Sequence, residues 1–230
     1  MIGAAGIVIP AHNEERLIAA CLHALQNAVA SVRVPISICV VADRCSDRTV
    51  EIATATVPEA SLLRTGVLSS LGQVRDLGMR YLMAELEGHD PAKVWLLGTD
   101  ADSYVRPDWI ERQLAHANAG ADAVTGLVDL EPAPHLTTEL RSAYRTLIGE
   151  RIRPADHDHI HGANFGVRAS AYADVGGYRA LDTGEDRDLW FRLQAAGHSM
   201  LQPRDLDVLT SARTTGRARG GLADLLAALG

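Results

Sequence analysis

Trp95-Leu-Leu-Gly-Thr-Asp-Ala-Asp-Ser-Tyr-Val105 is the stretch on which the fold turns. Val94 to Leu97 is an apolar run too short for a helix and suited to a buried strand. Gly98 and Thr99 end it, and carboxylates follow at Asp100 and Asp102. Aspartate is depleted inside strands, so the pair marks the strand's C-terminal edge. In an open α/β sheet that edge is where ligands bind. Carboxylate oxygens are hard donors suited to Mg²⁺ or Mn²⁺, which are usually shared with substrate phosphates. Two readings stand side by side: a metal–diphosphate site, or a turn capped by Asp100 with a solvated Asp102 beside it.

Upstream, strands and helices alternate. Gly6 to Pro10 reads as a buried strand stopped by Pro10, which cannot donate to a ladder. Asn13 is a good N-cap for a helix from about Glu14 to Ala30, with Leu17, Cys21, Leu25 and Ala28 at helical spacing. Ile36 to Ala42 is a second strand, ending in the polar turn Asp43 to Thr49, and Asp47 to about Thr56 is helical. Ser61 to Thr65 suits a short strand. Ser69 to Glu87 is a strong helix carrying Leu71, Val74, Leu77, Gly78, Tyr81 and Leu82 on one side. This alternation predicts a mainly parallel sheet with helices on both faces. Polar clusters then fall at three successive strand ends, where a nucleotide pocket would be built. Neither a Gly-x-Gly-x-x-Gly run nor a Walker lysine motif is present.

Downstream, Pro107-Asp108-Trp109 opens a helix to about Ala119. Ala123 to Leu130 alternates like a strand, and Thr137 to Gly149 looks helical. On an extended chain His157, His159 and His161 share one face and would suit zinc; the alternative is a surface loop. Gly162-Ala163-Asn164 would let backbone approach a ligand, or turn the chain tightly into a strand. Thr183 to Asp188 opens a helix. Acids there suit capping, yet a Glu185-Asp186 pair exceeds what capping needs, and a carboxylate there suits a general base. Arg213, Arg217 and Arg219 among glycines suit a flap closing over phosphates, or a solvated connector. Leu222, Leu225, Leu226 and Leu229 form a short amphipathic helix for packing on its own domain or in a homodimer.

Composition narrows the class. A chain of 230 residues, 47% hydrophobic and 22% charged, is ordinary for a globular protein. A net charge of −7 argues against broad nucleic-acid binding. Cys21, Cys39 and Cys45 are odd in number and lack metal-type pairing, which suggests free thiols and a reducing compartment. With no signal-peptide pattern and no run near the ~20 apolar residues that span a bilayer, the expected location is cytoplasmic.

The motifs Ile7-Val-Ile-Pro-Ala-His-Asn-Glu14, Val40-Val-Ala-Asp-Arg-Cys-Ser-Asp-Arg-Thr49, Asp100-Ala-Asp102, Gly162-Ala-Asn164 and Gly184-Glu-Asp186 come in the order seen in family 2 glycosyltransferases. The chain resembles that family over about residues 6 to 215. The resemblance implies a GT-A fold: one Rossmann-like α/β domain, with a mixed, mainly parallel central sheet flanked by helices. About 1–105 would form the nucleotide-binding half, 106–215 the acceptor and catalytic half, and 216–230 a C-terminal flap and short helix. It implies inverting, metal-dependent transfer of a sugar from a UDP- or GDP-sugar to an acceptor hydroxyl. Pro10, His12, Glu14, Asp43, Arg75 and Asp100 would bind the nucleotide. Asp102, with Asp100 in its DXD motif, would hold Mg²⁺ or Mn²⁺. Asp186 would be the catalytic base with Glu185 beside it. Gly162, Ala163 and Asn164 would shape the donor and acceptor pocket. From composition, not from the resemblance, Arg213, Arg217 and Arg219 are expected to approach the diphosphate.

Two departures stand out. Asp76 occupies a position where the family often has Asn, and Arg44-Cys45 interrupt the second motif. Without membrane helices or a long C-terminal region, a soluble small-molecule acceptor is expected. The alternatives are a GT-A sugar nucleotidyltransferase, which would want a Gly-rich basic first loop, and a non-catalytic nucleotide-sugar-binding module.

Overall fold

The computed structural model describes residues 1–68, 70–133, 136–216 and 221–229. The first half alternates as expected: β1 (Ala4–Ala11), α1 (Ile18–Val29), β2 (Ile36–Asp43), α2 (Thr49–Thr56), β3 (Ser61–Thr65), α3 (Leu71–Glu85) and β4 (Val94–Gly98). There follow β5 (Ser103–Val105), α4 (Trp109–Asn118), β6 (Ala123–Thr125), β7 (Leu127–Leu130), α5 (Thr138–Gly149), β8 (Phe165–Arg168), α6 (Ala169–Asp174), α7 (Glu185–Ala195), β9 (Met200–Leu201), β10 (Asp207–Thr210) and α8 (Leu222–Leu229).

The main sheet has seven strands in the order β3-β2-β1-β4-β8-β6-β9. Its pairs are parallel except where β8 runs against β4 and β6. Both faces are covered, so its central strands are apolar on both sides. Ile7, Ile9, Trp95 and Leu97 pack with Leu22, Leu25, Trp109 and Ile110 of α1 and α4. Val8, Val94 and Leu96, one residue out of phase, pack with Val74, Met79, Leu82 and Trp190 of α3 and α7. A smaller cluster joins Leu130, Leu140, Tyr144 and Leu226, so α8 packs on its own domain against α5.

Several boundaries differ from expectation for identifiable reasons. Pro10 lies inside β1 and does not end it. Val8 O accepts from Thr99 N at 3.2 Å. By alternation Pro10 turns its nitrogen to that same side, past the last β1–β4 pair, so its missing N–H breaks no ladder bond. Asn13 does not cap α1, which begins at Ile18. It adopts a left-handed φ of 54°, and its Oδ1 accepts from Ser46 N at 2.7 Å and Asp47 N at 3.3 Å, tying the first loop to the second. In α3, set at its start by a capping box between Ser70 and Gln73, Leu77 is exposed while Arg75 and Met79 are buried.

The expected strand Ala123 to Leu130 is two strands. A Cβ on Gly126 would lie 2.3 Å from Asn164 Nδ2 and 2.5 Å from Leu206 O, so only glycine lets the chain pass there. β6 stays in the main sheet, and β7 joins a three-stranded sheet ordered β5-β10-β7. This second sheet directs the chain beyond β10. Thr210 pairs with Ser103, and Ser211 N donates to Asp102 O at 3.1 Å, so the chain leaves β10 directly over Asp102.

Candidate active site

The C-terminal ends of β1, β2 and β4 lie side by side, and their loops converge. At the end of β2, Asp43 is buried. His12 Nδ1 donates to its carbonyl at 2.7 Å, and Arg44 Nε donates to its Oδ2 at 2.7 Å. Asp43 Oδ1 is buried with no hydrogen-bond partner among the described residues. A buried carboxylate oxygen without a partner is costly, and this one keeps its capacity to accept a hydrogen bond. Arg44 adopts a left-handed φ of 49° that turns its half-exposed guanidinium back onto Asp43.

Arg75 is the hub of the site. Its side chain projects from α3 and is 3% exposed. Nη2 donates to Asp100 Oδ1 at 2.6 Å, and Nη1 donates to Glu185 Oε1. Asp100 and Glu185 together outweigh burial, which by itself lowers an arginine pKa, and hold the guanidinium firmly protonated. Burial pushes the Glu185 carboxyl up, and Arg75 opposes that shift. Gly162 covers the guanidinium, and a Cβ there would sit 2.4 Å from Arg75 Nη1. Glycine at 162 is thus a packing requirement of Arg75.

Asp186, half-buried at the start of α7, accepts from Gly162 N at 2.9 Å through Oδ2 and from Arg187 N at 2.8 Å through Oδ1. Backbone donors fix both oxygens. Of the expected pocket residues, Gly162 and Ala163 line this turn. Asn164 faces inward and spends its amide on the fold. It accepts from Trp109 Nε1 at 2.9 Å and donates to Leu127 O at 2.9 Å.

Arg213 reaches the site from beyond β10. Nη1 donates to Glu14 Oε1 at 2.8 Å and Oε2 at 3.1 Å, and Nη2 lies 2.7 Å from Asp102 Oδ2. Burial and the neighbouring Asp100 push the Asp102 carboxyl up to about 6, against the pull of Arg213. Arg217 and Arg219 lie outside the described residues. Two carboxylates with hard oxygens, close in sequence and under mutual repulsion, fit a divalent cation. Among the described residues no three His, Cys, Asp or Glu side chains are grouped to hold a metal ion. Mg²⁺ is usually bound through only one or two protein carboxylates, with phosphate and water completing its shell.

The histidine cluster is neither a surface loop nor a metal grouping. His157 and His159 are buried, and His159 Nε2 donates to Ile148 O at 2.8 Å. The rings follow one another, His157 tilted against His159 with centroids 5.8 Å apart and His159 stacked on His161 at 5.6 Å. Burial, then the neighbouring histidines, pull His157 down to about 4 and His161 to about 3 from 6.5. The folded state therefore holds them neutral, and the contribution of His157 is complete above pH 6.5 and lost as pH falls through 4. Urea unfolding followed by circular dichroism is expected to show wild type losing on the order of 2 kcal/mol more than His157→Asn between pH 6.5 and pH 4. Equal losses would mean that the imidazole is not held neutral.

One neighbour of the site carries no sequence signal. Tyr178 packs against Phe165 and Tyr172 and looks like core, yet its hydroxyl is buried without a partner among the described residues. The family-level departure at Asp76 is also explained. Its carboxylate accepts from Tyr172 OH at 2.6 Å and Arg80 Nε at 2.6 Å, behind the site.

A mainly parallel sheet with acidic loops at one edge and a small second sheet beside it is the GT-A glycosyltransferase architecture, and solved structures share it. Residues 1–349 of S. aureus TarS, solved in complex with UDP-GlcNAc, superpose with a TM-score of 0.67 at 13% identity, covering 96% of this chain and 61% of that chain. The mannosyltransferase PcManGT from Pyrobaculum calidifontis, solved with GDP-Man and Mn²⁺, gives 0.65 at 16% identity, covering 92% and 58%. The chain thus spans only 58% to 61% of the length of these two structures, and the likeness is one of fold. The chain belongs to glycosyl transferase family 2, whose sequence pattern matches residues 6–176. A search of curated proteins gives no match.

Proposed function

We propose that this chain transfers a sugar from a UDP- or GDP-sugar to an acceptor hydroxyl with inversion at the anomeric carbon, a soluble small molecule being the first acceptor class to test. The supporting observation is one sheet edge that carries Asp43 with an open oxygen, the Asp100–Asp102 pair, and Asp186 with both oxygens oriented by backbone donors.

The roles follow from the chemistry. Asp43 accepts an N–H of the base. Asp186 takes the proton of the acceptor hydroxyl as its oxygen attacks the anomeric carbon. The new C–O bond forms opposite the leaving group, and the bond to the phosphate oxygen breaks with its electron pair leaving on the nucleoside diphosphate. Asp102, with Asp100, would hold Mg²⁺ or Mn²⁺, which when bound neutralises charge gathering on the diphosphate. Arg75 keeps Asp100 and Glu185 in fixed relation, so the donor and acceptor sides stay in register. No covalent intermediate is required.

A thermal-shift screen tests the proposal with UDP, GDP, ADP, CMP and dTDP, each with Mn²⁺, Mg²⁺ or EDTA. At about 100 times its Kd, a ligand of the native state adds roughly 2.7 kcal/mol, here about 5 °C or more. One diphosphate is expected to give that shift only with a cation, and Asp102→Ala is expected to remove the cation's part. No shift with any nucleotide would overturn the proposal.

A further inference from the structure

The guanidinium of Arg213 sits between the carboxylates of Glu14, in the loop after β1, and Asp102, in the loop after β4. It donates twice to Glu14 and meets Asp102 at 2.7 Å. Glu14 and Asp102 are 8% and 13% exposed at their side chains, so water solvates neither well. Arg75 is committed elsewhere, to Asp100 and Glu185, and among the described residues Arg213 pairs with both of these carboxylates. Its placement is built in: Ser211 N donates to Asp102 O, and Ser103 Oγ donates to Thr210 Oγ1 at 3.0 Å, pinning the segment two residues before it.

We infer that Arg213 is a resident counter-charge on Asp102 that the divalent cation displaces when the nucleotide arrives, so that cation and nucleotide load together. The inference rests on the proposed cation role of Asp102. A divalent ion at Asp102 would compete for the oxygen that Arg213 Nη2 meets at 2.7 Å, and it would stand a few ångström from the guanidinium. Their repulsion disfavours the metal alone. A nucleoside diphosphate brings the missing negative charge. The freed guanidinium then has a planar, two-toothed partner in the phosphate oxygens. Cation and nucleotide thereby strengthen each other's binding, and linkage makes that coupling reciprocal. Arg213 is on this account a positioning residue that acts through Asp102.

The test measures Mn²⁺ binding directly, from the electron-paramagnetic-resonance signal of free Mn²⁺, without and with saturating UDP or GDP. Wild type, Arg213→Gln and Arg213→Lys are compared, and melting in EDTA checks that each is folded. Without nucleotide, Arg213→Gln is expected to bind Mn²⁺ about tenfold tighter than wild type, the scale of one lost charge-assisted contact. Arg213→Lys, a point charge without the planar fork, is expected to fall between. The gain in Mn²⁺ affinity on adding nucleotide is expected to be largest in wild type. A purely structural tie would lower the melting temperature of Arg213→Gln and leave Mn²⁺ affinity unchanged. If wild type and Arg213→Gln bind Mn²⁺ equally without nucleotide while both bind it with nucleotide, the exchange is refuted and the cation role of Asp102 stands. If neither binds Mn²⁺ with either nucleotide, both fall.

Discussion

Arg75→Met is expected to destabilise the protein by about 3–5 kcal/mol, because it leaves the buried Glu185 carboxylate without its partner. For a chain of this size that is a fall in melting temperature of roughly 6–20 °C. Burial already pushes the Glu185 carboxyl up, and Arg75 is the main opposing influence, so no second cation takes over. Arg75→Lys is expected to recover only part of the loss. A single ammonium cannot span Asp100 and Glu185 as two guanidinium nitrogens do, and the flat contact with Gly162 is lost. Differential scanning calorimetry of the three proteins decides the matter. A methionine variant melting within about 2 °C of wild type would show that the buried pair carries no net weight.

The second large effect is on rate. Asp186→Asn keeps the shape of the side chain and one oxygen to accept from Gly162 N or Arg187 N, so its melting temperature should stay near that of wild type. An amide cannot take the acceptor's proton, and kcat is expected to fall by roughly 10²–10⁴, the range of a lost general base. Nucleotide binding, read by thermal shift, should be unaffected, because the proposed role of Asp186 is toward the acceptor hydroxyl. If transfer is first demonstrated in wild type and survives in Asp186→Asn at an undiminished rate, the base is another group.

How much of the fold is legible in the sequence depends on how local each signal is. β1, β2 and β4 are carried by contiguous apolar runs, and the loops after them by polar residues that would be unfavourable within a strand. Those signals need only a few neighbouring residues. β5, β9 and β10 are short strands held by partners far away in the chain, and no local pattern sets them apart from loop. Asn13 fails as a cap for the same reason, since its partners are Ser46 and Asp47. Gly126 reads as the middle of one strand because the atoms that forbid a side chain there belong to Asn164 and Leu206.

The site shows the same division. Asp43, Asp100, Asp102 and Asp186 stand out as acids where acids are otherwise unneeded, and the structure brings them to one edge. Their cross-links are not legible. Arg75 to Glu185 joins residues 110 positions apart, and Arg213 to Glu14 joins residues 199 apart. A pairing at such separation leaves no trace in periodicity or spacing.

The Arg75 hub also sets terms for recombining such enzymes. Changing acceptor preference by grafting residues 106–215 from a relative would cut the chain after β5, a natural-looking seam. Yet Arg75 and Gly72 lie before the cut, while their neighbours Glu185, Gly162 and the Arg179 carbonyl lie after it. The seam in sequence is not a seam in space. A chimera is expected to fold only when the face of α3 that meets α7 travels with the graft, or when the donor chain carries the same arginine, glycine and glutamate.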